Sequence, residues 1–379
     1  MLYLILMLLG IGACLAEIFI IVLWGVARWK FKKETLNNYS PKTCIIVPCK
    51  GLDIHFRENI NAFCTQNYKE YTILFITDSI QDAAYGVIQE ILPNYSNARL
   101  LTADSLSGCS GKIAALLKGI EEAGDVEVYV FADSDIKPHK EWLYHLVSAL
   151  DNERISATTG YRWYFPHSIK SLLISTWNMA GMIPFFYQRL NYTWGGSTAM
   201  RKDLFEKLEI AKKWRYGFAD DLILTNAVKN AGYLIQFVPK CIVESDYDSE
   251  NIHQFLRWGT REFIWARWYN PLTWSIAFVR SIGIKFLTFL GVILLFMGFL
   301  LPGVLMISTI LLEIICGWLA FITVKKTMWY SNQISRLLFS YAAMMPIAFF
   351  IITYNLIASS YKKEVLWGGR TYLKSDVVH

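Results

Sequence analysis

Carboxylates stand in three places along this chain where a catalyst could use them: Thr77-Asp78, Asp133-Ser134-Asp135 and Asp220-Asp221. Two carboxylates one residue apart can offer oxygen ligands to a hard divalent cation and leave its other positions to substrate phosphates and water. Such a cation, Mn2+ or Mg2+ held by Asp133 and Asp135, would sit where negative charge grows on a leaving diphosphate. Asp220 and Asp221 suit a different task. They open a helical pattern, DDLILTNAVKNAGY, that Gly232 closes, and a carboxylate there can take the proton of an attacking hydroxyl within hydrogen-bond reach. Both groups also have plain structural uses, because a strand-end aspartate caps turns and an acidic first turn suits the helix dipole.

These residues need a scaffold that brings chain-distant positions to one edge. Between residues 43 and 239 short β-branched runs (TCIIVP, YTILFITD, ARLLTA, EVYVFADSD, LIQFVP) alternate with helical patterns such as 80–92 and 112–123. That alternation predicts an α/β domain with a mixed, mostly parallel sheet and helices on both faces. Ligands of open α/β sheets lie beyond the carboxyl ends of the strands, and Asp78 and the Asp133/Asp135 pair fall where apolar runs end. The chain has no GxGxxG, so a dinucleotide turn has no support. Gly108-Cys109-Ser110-Gly111-Lys112 fails the P-loop pattern, since Ile113 stands where a metal-holding Ser or Thr is needed. Trp194-Gly195-Gly196-Ser197-Thr198 reads as a small-residue loop before a helix near Arg201, where an acceptor could approach backbone.

At 54% hydrophobic residues the chain is too apolar for an ordinary soluble protein, and the apolar residues are concentrated at its two ends. Residues 2–24 can cross a hydrocarbon core of about 30 Å. They are too long for a signal-peptide core and are followed, not preceded, by basic residues at Arg28, Lys30, Lys32 and Lys33. The positive-inside rule then places the polar middle in the cytoplasm. Apolar segments recur at 284–301, 303–323 and 337–357, with Pro302-Gly303 as the expected hairpin between the first two and Pro346 inside the last. If all three cross, Lys325, Lys326 and Arg336 fall on the opposite side from Lys362, Lys363, Arg370 and Lys374, so one segment is a candidate for re-entry. Glu17 and Glu313 lie inside apolar segments and need a partner, either a lipid head group or a neighbouring helix. Residues 263–281, aromatic and basic around Pro271, read as interfacial helices, and 172–187, with Trp177, Met179, Met182, Phe185 and Phe186, as either a further lipid-facing wall or an ordinary core helix.

The seven cysteines form no CxxC and no zinc-type spacing, which fits reduced thiols. A formal net charge of +6 suits an anionic lipid surface or a nucleotide diphosphate and is too dispersed for nucleic acid. His139 and His167 lack ligand-spaced partners. The expected organisation is a transmembrane helix over 1–25, a catalytic domain over 26–250, interfacial helices over 251–282, a membrane region of about three segments over 283–358, and a basic tail over 359–379.

Taken in order, Val47-Pro48-Cys49-Lys50-Gly51, Thr77-Asp78, Gly111-Lys112, Phe131-Ala132-Asp133-Ser134-Asp135, Ala219-Asp220-Asp221 and Gln254-Phe255-Leu256-Arg257-Trp258 resemble the motif set of the inverting family-2 glycosyltransferases of GT-A fold. Within them the set resembles the ceramide glucosyltransferase branch together with its bacterial relatives. The resemblance implies a UDP-sugar donor, a divalent metal and a membrane-lipid acceptor. Pro48, Lys50, Asp78, Lys112, Asp133, Arg257 and Trp258 would then contact the donor, and Asp133 and Asp135 the metal. Asp221 is the implied base, with Asp220 as its alternative; Gly195, Gly196, Gln254 and Trp258 would face the acceptor. Trp367-Gly368-Gly369-Arg370-Thr371-Tyr372 resembles a C-terminal element of the same family. Processive polysaccharide synthases of the cellulose and hyaluronan type share much of the set but usually carry Thr-Glu-Asp where this chain has Ala219-Asp220-Asp221, which favours a single transfer. A silent nucleotide-sugar-binding scaffold or a transport protein is the remaining alternative.

Overall fold

The computed structural model describes residues 1–30, 38–104, 106–245, 251–330, 332 and 334–376; Lys32 and Lys33 of the first basic cluster lie outside them. Along the chain the helices are α1 (Leu2–Lys30), α2 (Phe56–Cys64), α3 (Ala83–Ile91), α4 (Gly111–Glu122), α5 (Trp142–Ser148), α6 (Ile169–Ala180), α7 (Lys202–Lys207), α8 (Ile210–Trp214), α9 (Asp220–Asn230), α10 (Ile252–Tyr269), α11 (Pro271–Phe296), α12 (Leu300–Thr327) and α13 (Leu338–Tyr361). The strands are β1 (Thr43–Cys49), β2 (Tyr71–Thr77), β3 (Ala98–Thr102), β4 (Val128–Ala132), β5 (Ile136–Lys137), β6 (Ile155–Tyr164), β7 (Ser197–Arg201), β8 (Leu234–Ser245), β9 (Glu364–Trp367) and β10 (Arg370–Leu373). Contacts divide the chain into a sheet unit, Glu34–Trp163 with Pro184–Asp248 and Glu364–His379, and a helical unit, Met1–Lys33 with Tyr164–Ile183 and Ser249–Lys363.

In the sheet unit, eight strands run in the order β3-β2-β1-β4-β7-β6-β8-β5. β1, β2, β3 and β4 are mutually parallel, β7 is antiparallel to β4 and β6, and β5 is antiparallel to β8. Period-two alternation sends successive side chains to opposite faces. Cys44, Ile46, Leu74 and Ile76 join the core formed with Ile113 and Leu116 of α4, while Phe75 meets Phe63 of α2, which in turn meets Trp142 of α5. Helices thus cover both faces of a mixed, mostly parallel sheet. Residues 197–201 form the strand β7 where the sequence reads as a loop. Ser and Thr in STAMR hide its strand character, and pairing to β4 and β6 supplies what local pattern lacks.

In the helical unit, four helices are long and apolar enough to cross a membrane: Leu2–Trp29, Pro271–Phe296, Leu300–Thr327 and Ser335–Tyr361. Pro271 stands at the first position of α11, where its missing N–H is harmless. Residues 271–281 are therefore the first turns of that long helix. The turn between α11 and α12 falls at Met297–Gly298–Phe299, with Gly298 at φ +83°, and Pro302 lies in the first turn of α12 instead of in the hairpin. The 172–187 stretch is core: Trp177, Met179, Met182 and Phe185 are buried against protein, not presented as a wall.

Glu17 and Glu313 find neighbouring helices. Arg280 of α11 donates to Glu17 of α1 at 2.7 Å, and Lys285 of α11 donates to Glu313 of α12. Burying one charge alone costs more than burying the pair, so these bonds fix which helices meet and at what register. Lys285→Met is expected to destabilise the solubilised protein by about 3–5 kcal/mol, because it strands a buried carboxylate. Replacing Glu313 by Leu as well should restore most of the loss. A melting temperature unmoved by the single substitution would contradict the pairing.

Candidate active site

Strand direction assembles the site. β1, β2 and β4 are parallel, so Lys50, Asp78 and Asp133, each the residue after its strand, emerge at one sheet edge. Lys50 Nζ lies 2.7 Å from Asp78 Oδ2, and Pro48 is half-buried at the end of β1. The antiparallel register pairs Ala132 with Ser197. Gly196 is thereby set beside Asp133, whose N–H donates to the Gly196 carbonyl at 3.4 Å.

β6 runs antiparallel to β7 and so in the direction of β4. Its Thr159 pairs with Thr198, and three residues on, Arg162 reaches the same edge. Its guanidinium holds Asp133 Oδ2 at 3.1 Å and Asp135 Oδ2 at 3.2 Å while lying 4.6 Å over the Trp194 ring. Lys112, in the first turn of α4, lies 2.8 Å from Asp133 Oδ1 and 3.2 Å from Asp220 Oδ2. The side chains form an alternating row: Asp220, Lys112, Asp133, Arg162, Asp135. Burial alone would pull the Lys112 ammonium down, but Asp133, Asp220 and Asp221 outweigh it, and its pKa stands above the ordinary lysine value.

The start of α9 is tied into this row. Trp214, fully buried against Phe131 and Phe205, donates from Nε1 to the Asp220 carbonyl at 2.9 Å. Thr193 Oγ1 donates to the Asp221 carbonyl at 2.9 Å, and the Gly195 N–H to Asp221 Oδ2 at 3.4 Å. Asp220 is 4% exposed and turns its carboxylate to Lys112, whereas Asp221 is half-buried. Neither glycine of the loop can be replaced without movement. A Cβ on Gly195 would overlap Asp220 Oδ2 and come within 2.7 Å of Lys112 Nζ; one on Gly196 would overlap the Trp194 ring and come within 2.7 Å of Asp133 Oδ2.

The donor set fits a hard cation. Asp135 Oδ1 is buried and has no hydrogen-bond partner among the described residues, and burial, reinforced by Asp133 and opposed by Arg162, raises the Asp135 pKa above its ordinary value. Asp133, Asp135, Asp220 and Asp221 gather beside Lys112 and Arg162, and within these six side chains carboxylates outnumber cations by two. A diphosphate would add to that repulsion unless a divalent cation came with it. No group of three or more His, Cys, Asp or Glu gathers as a closed metal cage among the described residues, which leaves the remaining coordination to substrate oxygens.

The family model described as glycosyl transferase family 21 matches residues 5–376. The chain belongs to glycosyl transferase family 21. This family 21 chain is 23% identical over 255 residues to the probable glycosyltransferase YdaM of Bacillus subtilis (strain 168), a match covering 64% of the chain and 58% of that relative's length. Its structure is similar to that of mannosyltransferase PcManGT from Pyrobaculum calidifontis, determined in complex with GDP-Man and Mn2+. The TM-score is 0.53 at 16% identity, over 94% of this chain and 97% of the other, which establishes a shared GT-A-like fold.

In the family 21 protein, then, Lys112, Asp133, Asp135, Asp220, Asp221, Gly195 and Gly196 come together in the sheet unit, with Lys50 and Asp78 at the same edge. Gln254, Arg257 and Trp258 belong to the helical unit. They sit at i, i+3 and i+4 on α10, on one helical face, with Trp258 against Trp177 at 4.9 Å and Tyr164 at 6.0 Å. Sequence reasoning missed Arg162, which no motif marks; the only local sign is a lone arginine near the end of the run ISATTGYRWY.

Proposed function

We propose that this family 21 protein transfers a hexose, glucose or a close relative, from a UDP-sugar to a hydroxyl of a membrane lipid of ceramide-like chemistry. The observation that carries this reading is the row of alternating charges at the sheet edge, whose Asp220 end adjoins a half-buried Asp221 beside Gly195. A divalent cation held by Asp133 and Asp135 would supply a Lewis acid to the departing diphosphate. The chain's own residues do the rest. Lys112, kept protonated by its carboxylates, neutralises Asp220 and holds Asp133 in place. Asp221 takes the acceptor hydroxyl's proton as that oxygen bonds to the anomeric carbon and the bond to the diphosphate breaks, which inverts the centre. Gly195, where a Cβ would strike Asp220 Oδ2 and Lys112 Nζ, lets that ion pair close against the loop beside Asp221. Lys50 and Asp78 serve the nucleoside end. Purified protein incubated with UDP-sugars, Mn2+ and lipids tests the reading: glycolipid and free UDP should form together. Their absence from every combination would sink it, and a polymeric product would instead support the processive synthase.

The same reading includes a membrane topology with the catalytic domain in the cytoplasm. The hairpin of β9 and β10 groups with the sheet unit, which supports an even number of crossings between them. The positive-inside rule selects which helix of α11, α12 and α13 does not traverse. If α13 is interfacial and does not cross, Arg28 and Lys30, Lys325 and Lys326, and Lys362, Lys363 and Arg370 all lie on the cytoplasmic side; any other choice splits them. α13 also carries buried polar groups that bond protein: Asn355 accepts from Trp177 and donates to the Leu256 carbonyl, and Tyr341 pairs with Ser175. Cysteines placed at Ser375 and at the exposed Glu153 should react with a membrane-impermeant maleimide from the same side of sealed vesicles, above the labelling of the parent protein. Labelling from opposite sides would make α13 a true crossing.

A further inference from the structure

The C-terminal hairpin carries a charge that the site so far described does not use. β9 and β10 pair through a two-residue turn in which Gly368 and Gly369 have φ of +57° and +77°, the left-handed values such a turn needs. The period of two then puts Arg370 and Tyr372 on one face of β10. Tyr372, 6% exposed, packs its ring 4.8 Å from Phe218, two residues before Asp220, and its hydroxyl meets the Gly111 backbone. Arg370 lies over Gly111: the position a Cβ would take there is 3.6 Å from both Cζ and Nη1 of the guanidinium. The hairpin therefore touches the first turn of α4, which carries Lys112, and the segment leading into α9, which carries the paired aspartates.

This is an unfavourable place to leave a cation. Gly111 is the first residue of α4, after the Ser110 cap, and the N-terminal end of a helix has positive potential that repels a guanidinium. Arg370 is half-buried, and among the described residues it makes no ion pair and donates no hydrogen bond. Asp133, Asp135 and Asp220 are paired with Lys112 and Arg162 instead. An anion reaching both the helix N-terminus and the guanidinium would remove the repulsion and use the planar fork of donors.

We infer that Arg370 is a binding residue for the diphosphate of the nucleotide-sugar donor, brought to the α4 N-terminus by the C-terminal hairpin. This assignment rests on the transferase reading above and adds to it a donor contact from the last strand of the chain. The hairpin also links donor and acceptor chemistry, since Tyr372 couples Gly111 to Phe218 and thereby to the start of α9.

The test is nucleotide binding by calorimetry on the full-length protein in nanodiscs with Mn2+, comparing UDP or GDP, whichever the wild type binds, with the parent nucleoside. Arg370→Gln is expected to weaken the diphosphate at least tenfold, leave the nucleoside unchanged and leave the melting temperature where it was. Arg370→Lys should recover part of the affinity, keeping the charge but not the fork. Equal weakening of nucleotide and nucleoside would mean a structural role and overturn the inference, as would unaltered diphosphate affinity. Reduced flotation with anionic phospholipid vesicles, nucleotide binding being intact, would reassign Arg370 to a lipid head group and also overturn it. A wild-type protein that binds neither diphosphate would remove the transferase reading itself, and the inference with it, whereas failure of Arg370→Gln alone leaves that reading standing.

Discussion

Asp221→Asn is expected to lower turnover by roughly 10²- to 10⁴-fold, the range a positioned general base supplies, while donor affinity changes less than twofold. The expectation rests on the division of labour between adjacent aspartates. Asp220 is 4% exposed and occupied by Lys112, so it has no room to receive a proton from an incoming hydroxyl without breaking that pair. Asp221 is half-buried, oriented by the N–H groups of Gly195 and Leu222, and its carboxylate is not held by an ion pair of the row. Asp220→Asn should behave differently: it removes one partner of a buried pair, so melting temperature and donor affinity should fall together. Full turnover in Asp221→Asn, with a stable but inactive Asp220→Asn, would transfer the role to Asp220.

What the sequence revealed follows from how local each signal is. Asp78 and Asp133 could be placed at a sheet edge because apolar β-branched runs end on them, and Asp220 and Asp221 because a helical period begins there. β6 and β7 escaped because their strand positions are Ser156, Thr158, Thr159, Ser197 and Thr198, all buried. Their polarity is satisfied inside the fold: Thr158 Oγ1 donates to the Leu146 carbonyl, and Ser197 Oγ accepts from Trp142. Without those strands the register that carries Arg162 to Asp133 and Asp135 cannot be drawn. The same holds for Glu17 and Glu313. Their need for partners is local, but Arg280 and Lys285 become the partners only through helix packing. Gly368-Gly369 marks a turn in the sequence, yet nothing local says that the hairpin returns to Gly111.

Asp135 and Arg162 are expected to move metal affinity in opposite directions, and that contrast is the sharpest test of the charge row. Asp135→Asn keeps the volume and removes a charge whose Oδ1 has no hydrogen-bond partner among the described residues. Mn2+ should then no longer tighten UDP binding, and turnover should drop roughly 10²- to 10³-fold, comparable to removing one preorganised electrostatic contact from a transition state. Arg162→Met does the reverse. It takes away the guanidinium shared by Asp133 Oδ2 and Asp135 Oδ2, leaving two carboxylates to repel each other, so Mn2+ binding without nucleotide should become tighter. The gain would be harmful, because a cation bound before the donor no longer depends on the diphosphate for its place. Free Mn2+ measured by electron paramagnetic resonance reads both effects without any turnover. Shifts of the same sign in the two variants would mean that Arg162 does not compete with a cation at this edge.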